Sequence, residues 1–253
     1  MRLAVIIPVY NERELLPSLI ERLDATPPPS DTAGIPLTRH LILVDDGSTD
    51  GSRDLLAQLA GRTDTTALFA DRNRGKGSAL RRGFAAALDR GCDLAIVQDA
   101  DLEYDPADHA KALAPLISGR ADAVIGTRFL GETHRVLYFW HSVVNRSITT
   151  LSNMLSNLNL TDIECGTKAF TSQALARLNP MLKEDRFGIE PEIIARLTKI
   201  RLPTGDAASD TTRALRIYEV PISYAGRTYA EGKKITWRDG LEAIRCIVQH
   251  NLF

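Results

Sequence analysis

Five short apolar runs, each ending in polar residues and each followed by a helix-length stretch, constrain this chain more than any other feature. They are LAVIIPV at 3–9, HLILVDD at 40–46, ALFAD at 67–71, DLAIVQD at 93–99 and DAVIGTR at 122–128. Short runs rich in β-branched residues, alternating with helical patterns, build right-handed βαβ units and a mostly parallel sheet covered by helices. The predicted fold class is α/β, doubly wound in its first half. Helix starts are predicted after Asn11, after Asp50 and at Pro106. Beyond residue 128 the pattern predicts an amphipathic segment (139–158), a short strand TKAF, helices near 172–178 and 188–199, a strand LRIYEVPISY and a last helix from about 236. That half is expected to cap the carboxyl edge of the sheet, where open α/β folds bind ligands. The proline-rich stretch at 26–38 and the polar stretch at 203–212 read as surface loops.

With 253 residues and no interdomain linker, the chain reads as a single domain, 1–253. A net charge of −1 gives no general attraction to nucleic acid, so anion binding must be local. Three cysteines, Cys92, Cys165 and Cys246, are too far apart for a zinc motif and suit free thiols in a reducing compartment. The five histidines lack ligand spacing and read as surface or packing residues. The opening MRLAVIIPVYNE reads as a first strand and not a leader, and no stretch approaches the roughly 18 apolar residues of a membrane span. The expectation is a cytoplasmic protein, soluble or peripheral at the inner face of a membrane.

The polar strand ends converge on one edge: Pro8, Tyr10, Asn11 and Glu12 after the first strand, DDGSTDG at 45–51 after the second, DRNRGKGSALRRG at 71–83 after the third. Carboxylates there accept ribose or base hydrogens, glycines admit close backbone approach and Lys76 neutralises phosphate, which describes a nucleotide-binding rim. Neither a P-loop nor a G-x-G-x-x-G after the first strand is present, so an NTPase or dinucleotide dehydrogenase is not expected.

After the fourth strand come Asp99, Asp101, Glu103 and Asp105 at alternate positions. Were the strand to continue, they would share one face, and crowded acids call for a cation. Hard oxygen ligands favour Mg²⁺ or Mn²⁺, which bridge one or two carboxylates to phosphate oxygens. The alternative is that these acids only cap the helix at 106, and for Asp105 that is the preferred reading; D-x-D by itself is a common pair.

PVYNE, DDGSTDG, RNRGKGSALRRGF and QDADLEYDP, in that order, resemble the GT-A glycosyltransferases of family 2. GTRF, TDIECGTKAF, RFGIEPEI and PISYAGRTYAEGKKITWRDG are similar to the polyprenyl-phosphate hexosyltransferases, the dolichol-phosphate mannose and glucose synthase group. The resemblance implies a nucleotide-sugar-binding half (1–128) and an acceptor-binding half (129–253). It implies that Pro8, Tyr10, Glu12, Asp45, Lys76 and Asp99 bind the donor and that Asp99, Asp101 and Glu103 hold Mg²⁺ or Mn²⁺. Glu103 stands where relatives often carry glutamine, and ECGTK lacks the aromatic that relatives place before the lysine.

The reaction so implied moves a hexose from a nucleotide-diphospho-sugar, GDP-mannose or UDP-glucose, to a polyprenyl phosphate with inversion. A phosphate acceptor, with its second pKa about 6, is already anionic at neutral pH and needs no dedicated base. Catalysis is then alignment and screening of like charges. Candidates for screening are Arg128, Arg146, Arg227 and Lys233, with Asp101, Arg128 and Arg227 as catalytic residues; Lys234 reads as surface. The glycine-flanked loop 226–235 reads as a lid over bound donor. VLYFW at 136–140 and LEAIRCIVQHNLF at 241–253 read either as membrane-interface faces or as core and dimer surfaces.

Three other readings stand beside this one. A soluble hydroxyl acceptor would need a carboxylate base, for which Glu164 or Glu190 are the evident choices, although Pro191 makes Glu190 and Glu192 equally readable as helix-start caps. A nucleotidyltransferase would place a glycine-rich basic signature after the first strand, where PVYNERE stands. A catalytically silent nucleotide-sugar sensor would not need the acids and the basic loop.

Overall fold

The computed structural model describes residues 1–131, 139–204, 211–226 and 237–253. Nine strands are present among them: β1 (Arg2–Val9), β2 (Thr38–Asp45), β3 (Thr65–Phe69), β4 (Leu94–Val97), β5 (Ala123–Thr127), β6 (Lys168–Thr171), β7 (Arg201–Pro203), β8 (Thr212–Ala214) and β9 (Ile217–Pro221). Eight helices accompany them: α1 (Leu16–Ala25), α2 (Ser52–Leu59), α3 (Lys76–Asp89), α4 (His109–Ile117), α5 (Phe139–Ser156), α6 (Ser172–Leu178), α7 (Ile189–Leu197) and α8 (Trp237–Leu252). All five strands expected in the first half are present. No helix among the described residues is long and apolar enough to cross a membrane.

Seven strands form one sheet in the order β3-β2-β1-β4-β6-β5-β9, and β7 pairs with β8 apart from it. Every pairing in the large sheet is parallel except those of β6, which runs against both β4 and β5. Residues 129–253 therefore do more than cap an edge. They supply β9 at one side and β6 in the interior, where Lys168 lies opposite Ile125 at the carboxyl ends of its neighbours. The chain order reverses between β1 and β4, so the crevice beyond their ends is the topological switch point of the sheet.

Two apolar layers clamp the sheet. One packs Ile6, Val44, Val97 and Ile125 against Phe84 of α3 and Ile193 of α7. The other packs Ile7, Leu43 and Ile96 against Leu19 of α1 and Leu113 of α4. Alternating strand residues serve the two layers in turn, as a sheet buried on both faces requires. Gly83 lets α3 approach closely, since a Cβ there would come within 2.4 Å of Ile6 Cγ2.

Two local expectations are corrected. Asn11 does not cap a helix; it occupies the left-handed region (φ 53°), its Oδ1 accepts from Thr49 N–H at 2.8 Å, and α1 starts at Leu16 with a proline in its first turn. Asn is favoured both at caps and in left-handed turns, and here the turn prevails. Asp50 lies one residue before the cap, Gly51, and accepts from Ser52 N–H at 2.9 Å. Asp105, by contrast, accepts from Ala107 N–H at 2.9 Å and caps the turn that opens into α4.

Candidate active site

The loops after β1 and β2 interlock to form one wall of the switch-point crevice. Glu12 N–H donates to Ser52 Oγ at 2.9 Å and Asn11 N–H to Ser48 Oγ at 3.1 Å. Asp45, fully buried, accepts from Ser48 N–H at 3.0 Å and meets Arg53 Nη1 at 3.3 Å. Asp46 accepts from the N–H groups of Arg74 and Gly75, at 3.0 and 2.6 Å, and so fixes the glycine-rich turn before α3. Tyr10 is exposed and Pro8 partly so. The expected donor residues Pro8, Tyr10, Glu12 and Asp45 thus lie on one continuous rim.

The acidic run is not a strand continuation. β4 stops at Val97, and residues 98–105 fold into a tight loop with Leu102 at φ 61°. Asp101 Oδ1 accepts from Glu103 N–H at 3.1 Å, an Asx turn, so the alternate spacing of the acids belongs to a turn and not to a strand. A left-handed non-glycine residue costs about 1 kcal/mol, which the surroundings must offset. Gln98 supplies part of that: its Nε2 donates to Tyr104 O at 3.1 Å, and its Oε1 accepts from His109 Nε2 at 2.8 Å. Burial pushes the His109 imidazole down to about 4, so the ring is neutral and donates through Nε2.

The loop's other face pairs with residues before 227. Tyr104 and Tyr224 form an antiparallel bridge, Ala225 N–H donates to Glu103 O at 2.9 Å, and Tyr224 Oη donates to Glu103 Oε2 at 3.0 Å. Arg227, Lys233 and Lys234 lie outside the described residues.

Asp99 meets a resident cation. Lys76 Nζ sits 2.8 Å from its Oδ1 and 2.9 Å from its Oδ2, and 2.8 Å from Glu190 Oε1, the last at an angle poor for a hydrogen bond. Lys168, 1% exposed, pairs with Glu190 Oε2 and donates to the carbonyls of Ile163 and Cys165. Burial works against charge on Lys76, but Asp99 and Glu190 hold it well above the ordinary lysine range. Gly166 closes over the pair: a Cβ there would lie 2.2 Å from Asp99 Oδ2, and its N–H donates to Tyr104 Oη at 3.1 Å.

Arg128 is forked onto Asp162, Nε to Oδ2 at 2.6 Å and Nη2 to Oδ1 at 2.8 Å, with its guanidinium 5.1 Å from the Tyr224 ring centroid. Burial opposes ionisation of Asp162, yet Arg128 keeps its carboxyl below the ordinary range. Arg146 is exposed on α5, one residue beyond Asn145, whose amide reaches Asp162 at 3.4 Å. It is not brought to the acids.

Glu164 is set between these charges. Its Oε1 is buried with no hydrogen-bond partner among the described residues, and burial, with Glu190 adding to it, pushes the carboxyl up to about 7. A carboxyl raised in the fold favours folding fully below its ordinary value of 4.5 and loses that contribution as pH rises through 7. Glu164→Gln should therefore match the parent's melting temperature near pH 5 and exceed it increasingly toward pH 8. Thermal melts across that range check it, and a difference independent of pH would refute it.

Asp99, Asp101 and Glu103 present the hard-oxygen chemistry that Mg²⁺ or Mn²⁺ takes, and such ions need only one or two protein carboxylates when phosphate completes the shell. The three do not converge as they stand, because Asp99 faces Lys76 and Glu103 faces Tyr224. Among the described residues the trio of metal-ligating types that does converge is Glu184, Cys246 and His250. There Glu184 accepts from His250 Nε2 at 2.9 Å and from Arg245 at 2.8 Å, while Arg196 meets His250 Nδ1 at 2.9 Å. Two guanidiniums and a thiol pushed up to about 12 by burial mark this as a hydrogen-bonded clamp holding α8.

The motifs of the sequence also contain Asp46, Tyr104, Asp162 and Lys168, whose roles emerge only in the fold. For Asp46 and Tyr104 the signal was adjacency to an assigned acid. Asp162 and Lys168 find partners 34 and 22 positions away, which no local rule foretells.

Residues 4–178 match Glycosyl transferase family 2. The chain belongs to that family. It is a glycosyltransferase. It is 26% identical over 248 residues to the UDP-N-acetylglucosamine–dolichyl-phosphate N-acetylglucosaminyltransferase of Methanococcus voltae, spanning 92% of this chain and 93% of that one. It is 28% identical to the undecaprenyl-phosphate mannosyltransferase of Micrococcus luteus (92% and 87% covered) and 32% identical to the polyprenol monophosphomannose synthase of Mycolicibacterium smegmatis (70% and 64%). Glucosyl-3-phosphoglycerate synthase from Mycobacterium tuberculosis, crystallised with UDP, superposes with a TM-score of 0.69 at 17% identity, covering 100% of this chain and 80% of that chain. The family 2 glycosyltransferase therefore has the GT-A fold expected of it.

Proposed function

We propose that this glycosyltransferase moves a hexose from a nucleoside-diphospho-sugar, such as GDP-mannose or UDP-glucose, to a polyprenyl phosphate, with inversion at the anomeric carbon. One observation carries the reading: the acidic loop 98–105 lies at the switch point between the rim formed by residues 8–12 and 45–52 and the segment 160–168 that β6 delivers. A donor held by the rim would present its diphosphate to the acids, and an acceptor would enter past Arg128. The relatives named above act on dolichyl, undecaprenyl or polyprenol phosphates, which supports a lipid phosphate as acceptor.

The roles of this chain's residues follow from their chemistry. Pro8, Tyr10, Glu12 and Asp45 hold the nucleoside, with Lys76 and Asp99 beneath the diphosphate. Asp101, with Asp99 and Glu103 near it, would hold a Mg²⁺ or Mn²⁺ ion, which neutralises charge on the departing nucleotide when bound. An acceptor phosphate is anionic at neutral pH and attacks without a base, so Glu164, held largely protonated below pH 7, is not needed as one. Arg128 screens the meeting of two anions, and Arg146, Arg227 and Lys233 are proposed to join it from the acceptor side. Peripheral membrane contact is part of the proposal. Phe139 and Trp140 are 70% and 72% exposed on α5, and Leu241, Ile244 and Leu252 are exposed on α8, which packs beside it.

The test is release of nucleoside diphosphate from UDP- and GDP-hexoses with Mg²⁺ or Mn²⁺, using vesicles with and without polyprenyl phosphate. Release that depends on the lipid phosphate, with the protein co-sedimenting with the vesicles, is expected. Lipid-independent release to a soluble sugar would replace this reading with a hydroxyl-acceptor enzyme.

A further inference from the structure

The partly buried charges around Asp99 form a chain of alternating sign: Asp99, Lys76, Glu190, Lys168. Their side chains are 17%, 14%, 5% and 1% exposed, so the chain runs from the crevice into the interior. Each link comes from a different place in the fold, the loop after β4 and the starts of α3, α7 and β6. At its inner end Lys168 is fixed by two backbone carbonyls of the 160–168 segment. At its outer end the Lys76 ammonium spans both oxygens of Asp99, where a bound cation would compete for them.

We propose that Glu190 and Lys168 are positioning residues of the donor site, setting through Lys76 how strongly Asp99 attracts a divalent cation. This rests on the metal-dependent reading above. Glu190 shares the Lys76 ammonium with Asp99, drawing part of its charge inward; Lys168 in turn neutralises part of Glu190. The four groups balance as two acids and two bases. Breaking one link leaves a low-permittivity site with an unpaired charge, which neighbouring groups must answer. Burial opposes ionisation of Glu190, yet Lys168 and Lys76 hold its carboxyl below the ordinary range.

The chain makes a prediction of sign that a merely structural role does not. Without the Glu190 charge, two ammonium groups face one carboxylate and Lys76 is committed to Asp99, so a divalent cation binds less well. Without the Lys168 charge, Glu190 draws Lys76 inward and the site gains net negative charge, so the cation binds better. A unit charge one ion pair away in a partly buried site is worth about tenfold in affinity. Simple loosening of the fold would weaken binding in both variants.

The experiment is Mn²⁺ binding followed by electron paramagnetic resonance and calorimetry, with and without UDP, on the parent, Glu190→Gln and Lys168→Met, each checked for folding by near-ultraviolet circular dichroism. Expected is about tenfold weaker binding in Glu190→Gln, tighter binding in Lys168→Met, and recovery toward the parent in Glu190→Asp. Should either variant unfold, Lys76→Gln reads the chain from its outer end and should tighten Mn²⁺ binding. A parent that binds Mn²⁺ with affinity unchanged in these variants, or weakened in all of them, overturns this inference alone. A parent that binds no Mn²⁺ with or without UDP overturns it together with the metal-dependent reading.

Discussion

Replacing Asp101 by Asn is expected to lower kcat/KM by about a thousandfold while leaving the fold intact. Both halves of that expectation come from the loop. Asp101 Oδ1 accepts from Glu103 N–H at 3.1 Å, and an asparagine oxygen can accept the same bond, so the turn that places Leu102 at positive φ survives. Asp101 is only partly buried, and a substitution that keeps such a bond changes stability by about 0.5 kcal/mol or less. What disappears is a negative charge where the diphosphate is proposed to depart, and removing one preorganised electrostatic partner of a developing charge typically costs about 10²–10³ in turnover. Steady-state release of nucleoside diphosphate against Mg²⁺ concentration, paired with thermal melts, checks both halves. Asp105→Asn provides the contrast, because Asp105 caps the turn into α4 and faces away from this role. Should Asp101→Asn turn over at the parent's rate in excess chelator, the acids of this loop are not a cation site.

That loop also shows where sequence reasoning stops. Strands β1 to β5 were legible because buried parallel strands are written as continuous apolar runs with polar ends. Convergence of those ends was legible as well, since βαβ handedness puts every carboxyl end on one edge. The alternation of acids at 99–105 was misleading, because Asp101 closes an Asx turn around the left-handed Leu102 and Asp105 caps the next turn, so their spacing of two does not come from an extended strand. The direction of β6 was illegible for another reason: KAFT is four residues long and buried on both sides, and nothing in such a run says which way it lies. Yet that antiparallel insertion brings Lys168, Gly166 and Asp162 to the crevice.

Ion pairs across the crevice were the least legible feature. The sequence marks Arg128 as a cation after a strand and a candidate for screening phosphate, and in the fold its Nε and Nη2 are committed to Asp162. A forked arginine can serve the fold, the reaction or both, and a mutational cycle separates these. Arg128→Leu leaves Asp162, which is fully buried, without its charged partner, and loss of one member of a buried pair costs about 3–5 kcal/mol. The fork holds the Asp162 carboxyl below its ordinary value of 3.8, so this stabilisation is present above that pH and is lost as pH falls below it. Asp162→Asn strands the guanidinium, but retains an oxygen for Glu164 N–H, now 3.1 Å from Oδ1. The double variant removes both charges and keeps that acceptor, so it should recover at least about 2 kcal/mol relative to the sum of the singles, as interacting neighbours do. Denaturant melts at pH 7 measure that recovery. Activity then decides the role. If Arg128 screens the acceptor phosphate, the refolded double variant stays about a hundredfold down in kcat/KM for the acceptor with its donor KM little changed, since removing one charged partner leaves the rim at 8–12 and 45–52 intact. A double variant that regains both stability and parental turnover would make Arg128 a structural residue and move the screening of the acceptor to other cations.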